Sequence, residues 1–197
     1  MKSTENLEVV EYRIDSGLII TFVSENWSVF ARENGANDLT AENTIGKHLK
    51  EFITDNETFE LYINIIDKVR NTGEGISFPF RCDSPDYRRF MEMEVVPYSI
   101  NEIQFKCVLV KKERRAKQQF LSPNTDRSDD FLTICSWCKK IKTREKCWLE
   151  IEDAVRALKL MDSVKLPKLT HGVCPECFHI VKRIINDSHK KRLSFGD

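Results

Sequence analysis

Two Cys-x2-Cys pairs, Cys135-Ser136-Trp137-Cys138 and Cys174-Pro175-Glu176-Cys177, stand 35 residues apart near the C-terminal end of this 197-residue chain. A tight C-x2-C turn lets two thiolates converge on one ion while backbone amides point at the sulfurs, and two such turns complete a tetrahedral shell. Residues 131–197 are too few to bury a large apolar core, so a structural metal is a sensible staple for them. The expected ligands are Cys135, Cys138, Cys174 and Cys177. The expected ion is Zn2+, structural rather than catalytic because four protein ligands leave no open position. His171 reads either as a support bonding a sulfur from outside the shell or as an alternative ligand. Cys147 has no paired neighbour and reads as a free buried thiol.

Other cysteine chemistries fit less well. A redox dithiol suits Cys174-Pro-Glu-Cys177 at the start of a helix, but it leaves the second pair unexplained. Covalent haem attachment needs a histidine directly after the second cysteine, where Lys139 and Phe178 stand. An iron-sulfur cluster also takes four cysteines, yet two short turns around one ion fit zinc better.

The formal net charge of zero hides an asymmetry. Residues 1–110 hold 11 Lys and Arg against 19 Asp and Glu, net −8, whereas residues 131–197 hold 14 against 8, net +6. Between them Lys111–Asp130 is nearly without apolar residues, and a charged linker is expected over 113–130. No apolar run of about 18 residues and no N-terminal apolar segment is visible, so neither a membrane span nor a secretory signal is expected. A cytoplasmic location is expected, in which the seven cysteines are thiols or metal ligands rather than disulfides.

The N-terminal part alternates in period. Leu7–Ile14 and Leu18–Val23 read as strands joined by Asp15-Ser16-Gly17. Ser24 offers an N-cap to a helix bearing Trp27, Phe30 and Ala31. A longer helix places Phe59, Tyr62, Ile63, Ile66 and Val69 on one face and stops at Gly73. Three strands follow, with Ile76, Phe78, Phe80 and Cys82, then Arg89, Met91, Met93 and Val95, then Ile103, Phe105, Cys107 and Leu109 on alternating positions. Such an order builds an antiparallel sheet with helices on one face, an α+β layout. Cys82 reads as a small buried residue, and Arg88 and Arg89 beside Asp83 and Asp86 as a solvated charged hairpin rather than an anion site. In the C-terminal part, 148–161 and 178–187 carry helical patterns with Leu149, Ala154, Ala157, Leu158 and Met161, and with Ile180, Val181, Ile184 and Ile185. A small, mainly helical zinc-binding module over 131–197 is expected.

Over residues 5–112 the chain resembles a PAS domain, through its order of elements and the stretches SENWSVFARENGA, TIGKHLKEFI and FPFRCDSPDYRRFMEMEVVP. The resemblance implies a five-stranded antiparallel sheet whose concave face can hold a small ligand and whose outer face transmits a signal or dimerises. Members that bind haem present a histidine from the helix over the sheet, and Glu57–Val69 has none; His48 reads as a surface or packing residue. The Asn-Cys-Arg-Phe motif of flavin-type light sensors is absent, so neither haem nor covalent flavin is expected. Residues 134–178 resemble a small cysteine module appended to bacterial signalling proteins, through Ile134, Ile141, Trp148, Glu150, His171, Gly172 and Pro175 around the four cysteines. The stretch ALKLMDSVKLPKL and Cys147 depart from that pattern.

The expectation is therefore a non-enzymatic cytoplasmic sensory or adaptor protein of bacterial signal transduction. A PAS-like input domain at 1–112 would be coupled to the zinc module at 131–197, which serves protein-protein interaction. No phosphate-cradling Gly-rich loop is present to support an enzyme. Expected partners are a signalling protein such as a kinase or regulator, and a second copy through the PAS-like part. Two alternatives stand beside this reading. One is a nucleic-acid-binding zinc-finger regulator using Lys139, Lys140, Lys142, Arg144, Lys146 and Lys190-Lys191-Arg192; the other is a thiol and zinc redox sensor.

Overall fold

The computed structural model describes residues 9–122, 125–143, 147–162 and 165–187. Strands β1 (Val9–Ile14) and β2 (Ile20–Val23) form an antiparallel pair, and helices α1 (Trp27–Glu33), α2 (Ala41–Thr44) and α3 (Asn56–Thr72) follow. Strands β3 (Ile76–Arg81), β4 (Tyr87–Pro97) and β5 (Ile103–Arg114) complete an antiparallel sheet of order β2-β1-β5-β4-β3. The expected α+β sheet of five antiparallel strands is present. Its alternation is physical: Met91, Met93 and Val95 of β4 and Ile103 and Phe105 of β5 all point into the core, while the residues between them are more exposed.

The helix starts and faces differ in detail from the sequence expectation. Asn26, not Ser24, is the N-cap residue of α1; Ser24 instead accepts the Glu11 N–H at 3.1 Å and so ties β1 to the turn. Helix α3 starts on Asp55, whose carboxylate accepts the Thr58 N–H at 2.7 Å, and ends at Gly73, whose φ of 69° suits a residue without Cβ. Its most buried positions are Leu61, Ile65, Ile66 and Val69, whereas Phe59 and Ile63 are only half-buried. The reason is that α3 has partners beyond the sheet: it packs on β4 and β5 and also on elements of the C-terminal part.

Among its described residues the C-terminal part is mixed, strand as well as helix. Strands β6 (Arg127–Cys135), β7 (Ile141–Lys142), β8 (Trp148–Leu149) and β9 (Leu166–Gly172) form a second sheet of order β8-β7-β6-β9, joined by helices α4 (Ile151–Ala157) and α5 (Pro175–Asp187). The stretch that departs from the module pattern supplies the first four residues of β9, Leu166–Leu169, and β9 runs parallel to β6. The expected helix over 148–161 is cut short: Leu149 lies in β8, and Met161 is exposed. The segment 113–130 contains the end of β5, a 3-10 turn with fully buried Phe120, and the start of β6. Pro123 and Asn124 lie outside the described residues.

One apolar cluster runs through both parts. Tyr12, Leu61, Phe78, Met93 and Phe105 share it with Cys135, Trp137, Val173, Cys174, Cys177 and Val181. Trp137 packs on Tyr62 and Phe78, with ring centroids 5.7 and 6.1 Å away. A smaller cluster around Phe120, Ile134, Ile141, Ile151 and Ala154 holds the second sheet to α4. No helix among the described residues is long and apolar enough to cross a membrane.

Candidate metal centre

The parallel β6–β9 ladder determines where the cysteines meet. Ile134 pairs with His171 and Cys135 with Gly172, so the two strands end side by side and each leads directly into a Cys-x2-Cys turn. The first turn closes on Lys139, whose N–H donates to the Cys135 carbonyl at 3.1 Å and whose φ is 62°. The Cys135 N–H then donates to the Lys140 carbonyl at 2.8 Å, which starts the return along β7. Gly172 lies against Thr133, whose Cγ2 would be 3.0 Å from an added Cβ, so a small residue lets the two strands approach here. The second turn opens α5: Pro175 takes the first helical position, and the Phe178 N–H donates to the Cys174 carbonyl at 3.0 Å.

The four sulfurs, of Cys135, Cys138, Cys174 and Cys177, all lie within 4.8 Å of one another and could hold a metal ion. A tetrahedron with metal–sulfur bonds of about 2.3 Å has sulfurs about 3.8 Å apart; Cys138 Sγ and Cys174 Sγ are 3.6 Å apart. Backbone amides point at the cluster, the Cys174 N–H at Cys135 Sγ and the Cys177 N–H at Cys174 Sγ, both at 3.4 Å. These donors stabilise thiolates, as does the N-terminal end of α5. Three of the four cysteines are buried. The donor set is all thiolate and fits a soft or borderline ion such as zinc.

The protonation energetics point the same way. Hydrogen bonds from Cys138 and Cys177 hold the Cys135 thiol well below the ordinary thiol range. The contact with Cys135 pushes Cys138 up to about 12, against a lowering from Cys177, and the contacts with Cys135 and Cys138 push Cys177 upward as well. In the absence of a cation the charge is drawn to Cys135, at the cost of Cys138 and Cys177. A dication at the centre would remove that conflict, because it favours the thiolate form of each ligand.

His171 is not brought into the set of four. Its residue is exposed, its imidazole makes no hydrogen bond to a sulfur among the described residues, and it lines a cavity beside α3. Partial desolvation, and then the Lys139 charge, lower its pKa. Cys147 is exposed, against the buried thiol expected. Cys82 lies just past β3, with its Sγ 3.7 Å from Asn34 Oδ1, and burial raises its pKa. His48 has a structural role: its Nδ1 accepts the Lys50 N–H and the Glu51 carboxylate accepts its own N–H, capping a 3-10 turn. In the basic group, Lys139 Nζ donates to the Ser136 carbonyl and Lys140 pairs with Glu176, both within 2.8 Å. Arg144, Lys146 and Lys190-Lys191-Arg192 lie outside the described residues.

The stretch read as a solvated hairpin is an ionic lock between the two parts. Arg81 holds both Asp83 and Glu150, Arg88 holds Glu152 at 2.7 Å, and Arg115 reaches Asp83 at 3.2 Å and Glu152 at 3.5 Å. Arg89 is buried against Asn34, to which its guanidinium donates at 2.8 Å. Composition alone suggests surface charge; apart from Arg81–Asp83, two residues apart, the partners are 32 to 69 residues away along the chain, where no local signal reports them.

A larger apolar cavity of about 300 Å³ lies over the five-stranded sheet, walled by Tyr12, Trp27, Phe30, Met91, Met93 and Cys107. Burial pushes the Cys107 thiol up to about 12. Comparison with protein-family models and with curated proteins returns no match to this chain.

Proposed function

We infer that the chain is a non-enzymatic sensory or adaptor protein in which a PAS-like half and a structural zinc knuckle share one core. The observation that carries this reading is the position of Trp137. It lies between two cysteines of the metal set and packs on Tyr62 and Phe78 of the N-terminal half. The strand order β2-β1-β5-β4-β3, with helices inserted between β2 and β3, supports the PAS-like assignment. In that reading the 300 Å³ cavity is the ligand site, and its wall of Tyr, Trp, Phe and Met side chains suits an apolar molecule. Zinc, when bound, supplies cross-linking of β6, β9 and α5 rather than reactivity, because all four positions are protein thiolates. Output then passes by binding to a signalling partner such as a kinase or regulator, or to a second copy, in the cytoplasm.

Elemental analysis with an absorbance spectrum of reduced, freshly purified chain tests the reading. About one zinc per chain and no visible band are expected. A chain without zinc, or one carrying iron or an absorbing cofactor, overturns it. Cys174→Ser should lower zinc content and destabilise the N-terminal sheet as well, because the site lies in the shared core.

A further inference from the structure

We propose that the smaller cavity between α3, β3 and the first cysteine turn is a second ligand site, for one neutral aromatic ring bearing a hydroxyl, linked to metal occupancy. The inference rests on the metal reading above and adds a ligand to the same turn. The cavity measures about 180 Å³, close to the size of sites that accept a single benzene ring and smaller than the usual pocket for a larger ligand. Phe52, Tyr62, Phe78 and Trp137 form its apolar walls, the surfaces on which a flat ring packs edge or face.

Its polar groups select the substituent. Thr58 Oγ1 and Ser136 Oγ are 3.0 Å apart, and one O–H is used between them. Among the described residues neither side-chain oxygen has another partner, so the second O–H and the remaining lone pairs are left for a ligand and the pair can donate and accept at once. A hydroxyl matches that need; a carboxylate does not, because Asp55 stands on the same rim. Among the described residues the Trp137 indole N–H is buried without an acceptor, and a bound oxygen brought within its reach would gain a hydrogen bond.

The linkage follows from the chain itself. Ser136 and Trp137 are the two residues between Cys135 and Cys138, and both line the cavity. They are held by the Ser136 N–H to the Gly172 carbonyl at 2.8 Å and by the Arg81 N–H to the Trp137 carbonyl at 2.7 Å. A ligand that needs this turn folded stabilises it for the metal, and by reciprocity the metal stabilises it for the ligand.

Phenol is the probe, titrated into the zinc-loaded full chain and followed by calorimetry and by the tryptophan indole NMR signals. Saturable binding with a Kd on the order of 0.1–1 mM is expected for so few atoms. Thr58→Val should weaken it at least about fivefold through loss of a hydrogen bond, and Thr58→Ser, which keeps the hydroxyl, should not. Phenol at ten times its Kd should slow zinc transfer to a chromophoric chelator by about tenfold. Zinc-loaded protein that does not bind phenol at 10 times the upper end of that range overturns the inference and leaves the metal reading intact. Protein without zinc fails the metal reading instead. Binding abolished by Cys107→Phe, which fills the larger cavity, and untouched by Thr58→Val places phenol in the other site and overturns the assignment. Binding with unchanged zinc transfer overturns the linkage.

Discussion

Asp83 is the centre of the ionic lock, and Asp83→Asn isolates what that lock contributes. Its carboxylate is 2% exposed and accepts from Arg81 Nε at 3.2 Å, from the other end of the same guanidinium, and from Arg115 at 3.2 Å. The two arginine side chains are themselves only 10% and 6% exposed, so solvent screens little of the interaction. Removing one side of a buried pair costs about 3–5 kcal/mol, mostly because the remaining charge is left buried. Here the lower end applies. Arg81 keeps Glu150 at 2.7 Å, and Arg115 keeps Glu152 and the Ser84 carbonyl at 2.9 Å. About 3 kcal/mol is a shift of roughly a hundredfold in the folding equilibrium, or about 6–12 °C in Tm for a chain of this size. Urea unfolding of the zinc-loaded protein, with wild type and variant compared by midpoint at equal slope, measures it. Asp83→Asn combined with Arg115→Met should recover part of the loss, because the uncompensated charge goes with the arginine. A loss under about 1 kcal/mol would equate the lock with an ordinary surface ion pair and refute the argument from burial.

Three further outcomes follow from the same packing. Phe120→Ala should cost about 3–5 kcal/mol in the same unfolding assay, since the ring is fully buried; a linker residue would cost almost nothing. Cys147→Ser should leave zinc content unchanged, because that exposed cysteine is outside the set of four, and elemental analysis reads this directly. The Arg88–Glu152 pair should couple by about 1 kcal/mol at neutral pH in a double-mutant cycle, both side chains being about 30% exposed. Partial burial raises the Glu152 pKa, but its own backbone N–H and the two arginines outweigh this and hold it below the usual range. Its folded pKa is therefore depressed. The coupling should be full above about pH 4.3, the unfolded value, and fade as pH falls through the folded one.

The parts of this fold that were legible in the sequence are those in which one residue's environment repeats at a fixed spacing. A sheet buried on one face writes a period of two, and Met91, Met93, Val95, Ile103 and Phe105 show it. The four cysteines were legible because a tetrahedral ion asks for two closely spaced pairs. Strand β9 was not: LPKLTHG has mixed burial, one proline and no clean alternation, and its pairing with β6 is parallel and distant along the chain. The exposed side of Met161 and the buried ring of Phe120, inside the segment expected as a linker, escape for a related reason. Both depend on where a turn places one residue, and no periodicity reports that. In α3 the buried face came out rotated because a helix packed on two partners does not present a single stripe.

The charge asymmetry acquires a different meaning once the partners are known. The N-terminal half is acidic overall, yet it contributes Arg81 and Arg88 to the lock, with Arg115 from the segment that follows it; the basic C-terminal half contributes Glu150 and Glu152. Net charge therefore attracts the halves at long range, while the contact itself uses the minority sign from each side. Such an inversion makes the docking selective. A shifted arrangement would set Arg81 or Arg88 against the lysines of the basic half instead of against α4, and like charges left together in a partly buried joint are costly. The metal set and the ionic lock thus hold the same joint from different places. The cysteines tie β6, β9 and α5 into the core through Trp137, and the arginines fix α4 to the edge of the sheet at β3 and β4. In the proposed metal reading, loss of the ion alone leaves the lock to resist separation. Its first effect is accordingly a loosened cysteine turn and an altered cavity beside it, with the lock still holding α4 to the five-stranded sheet.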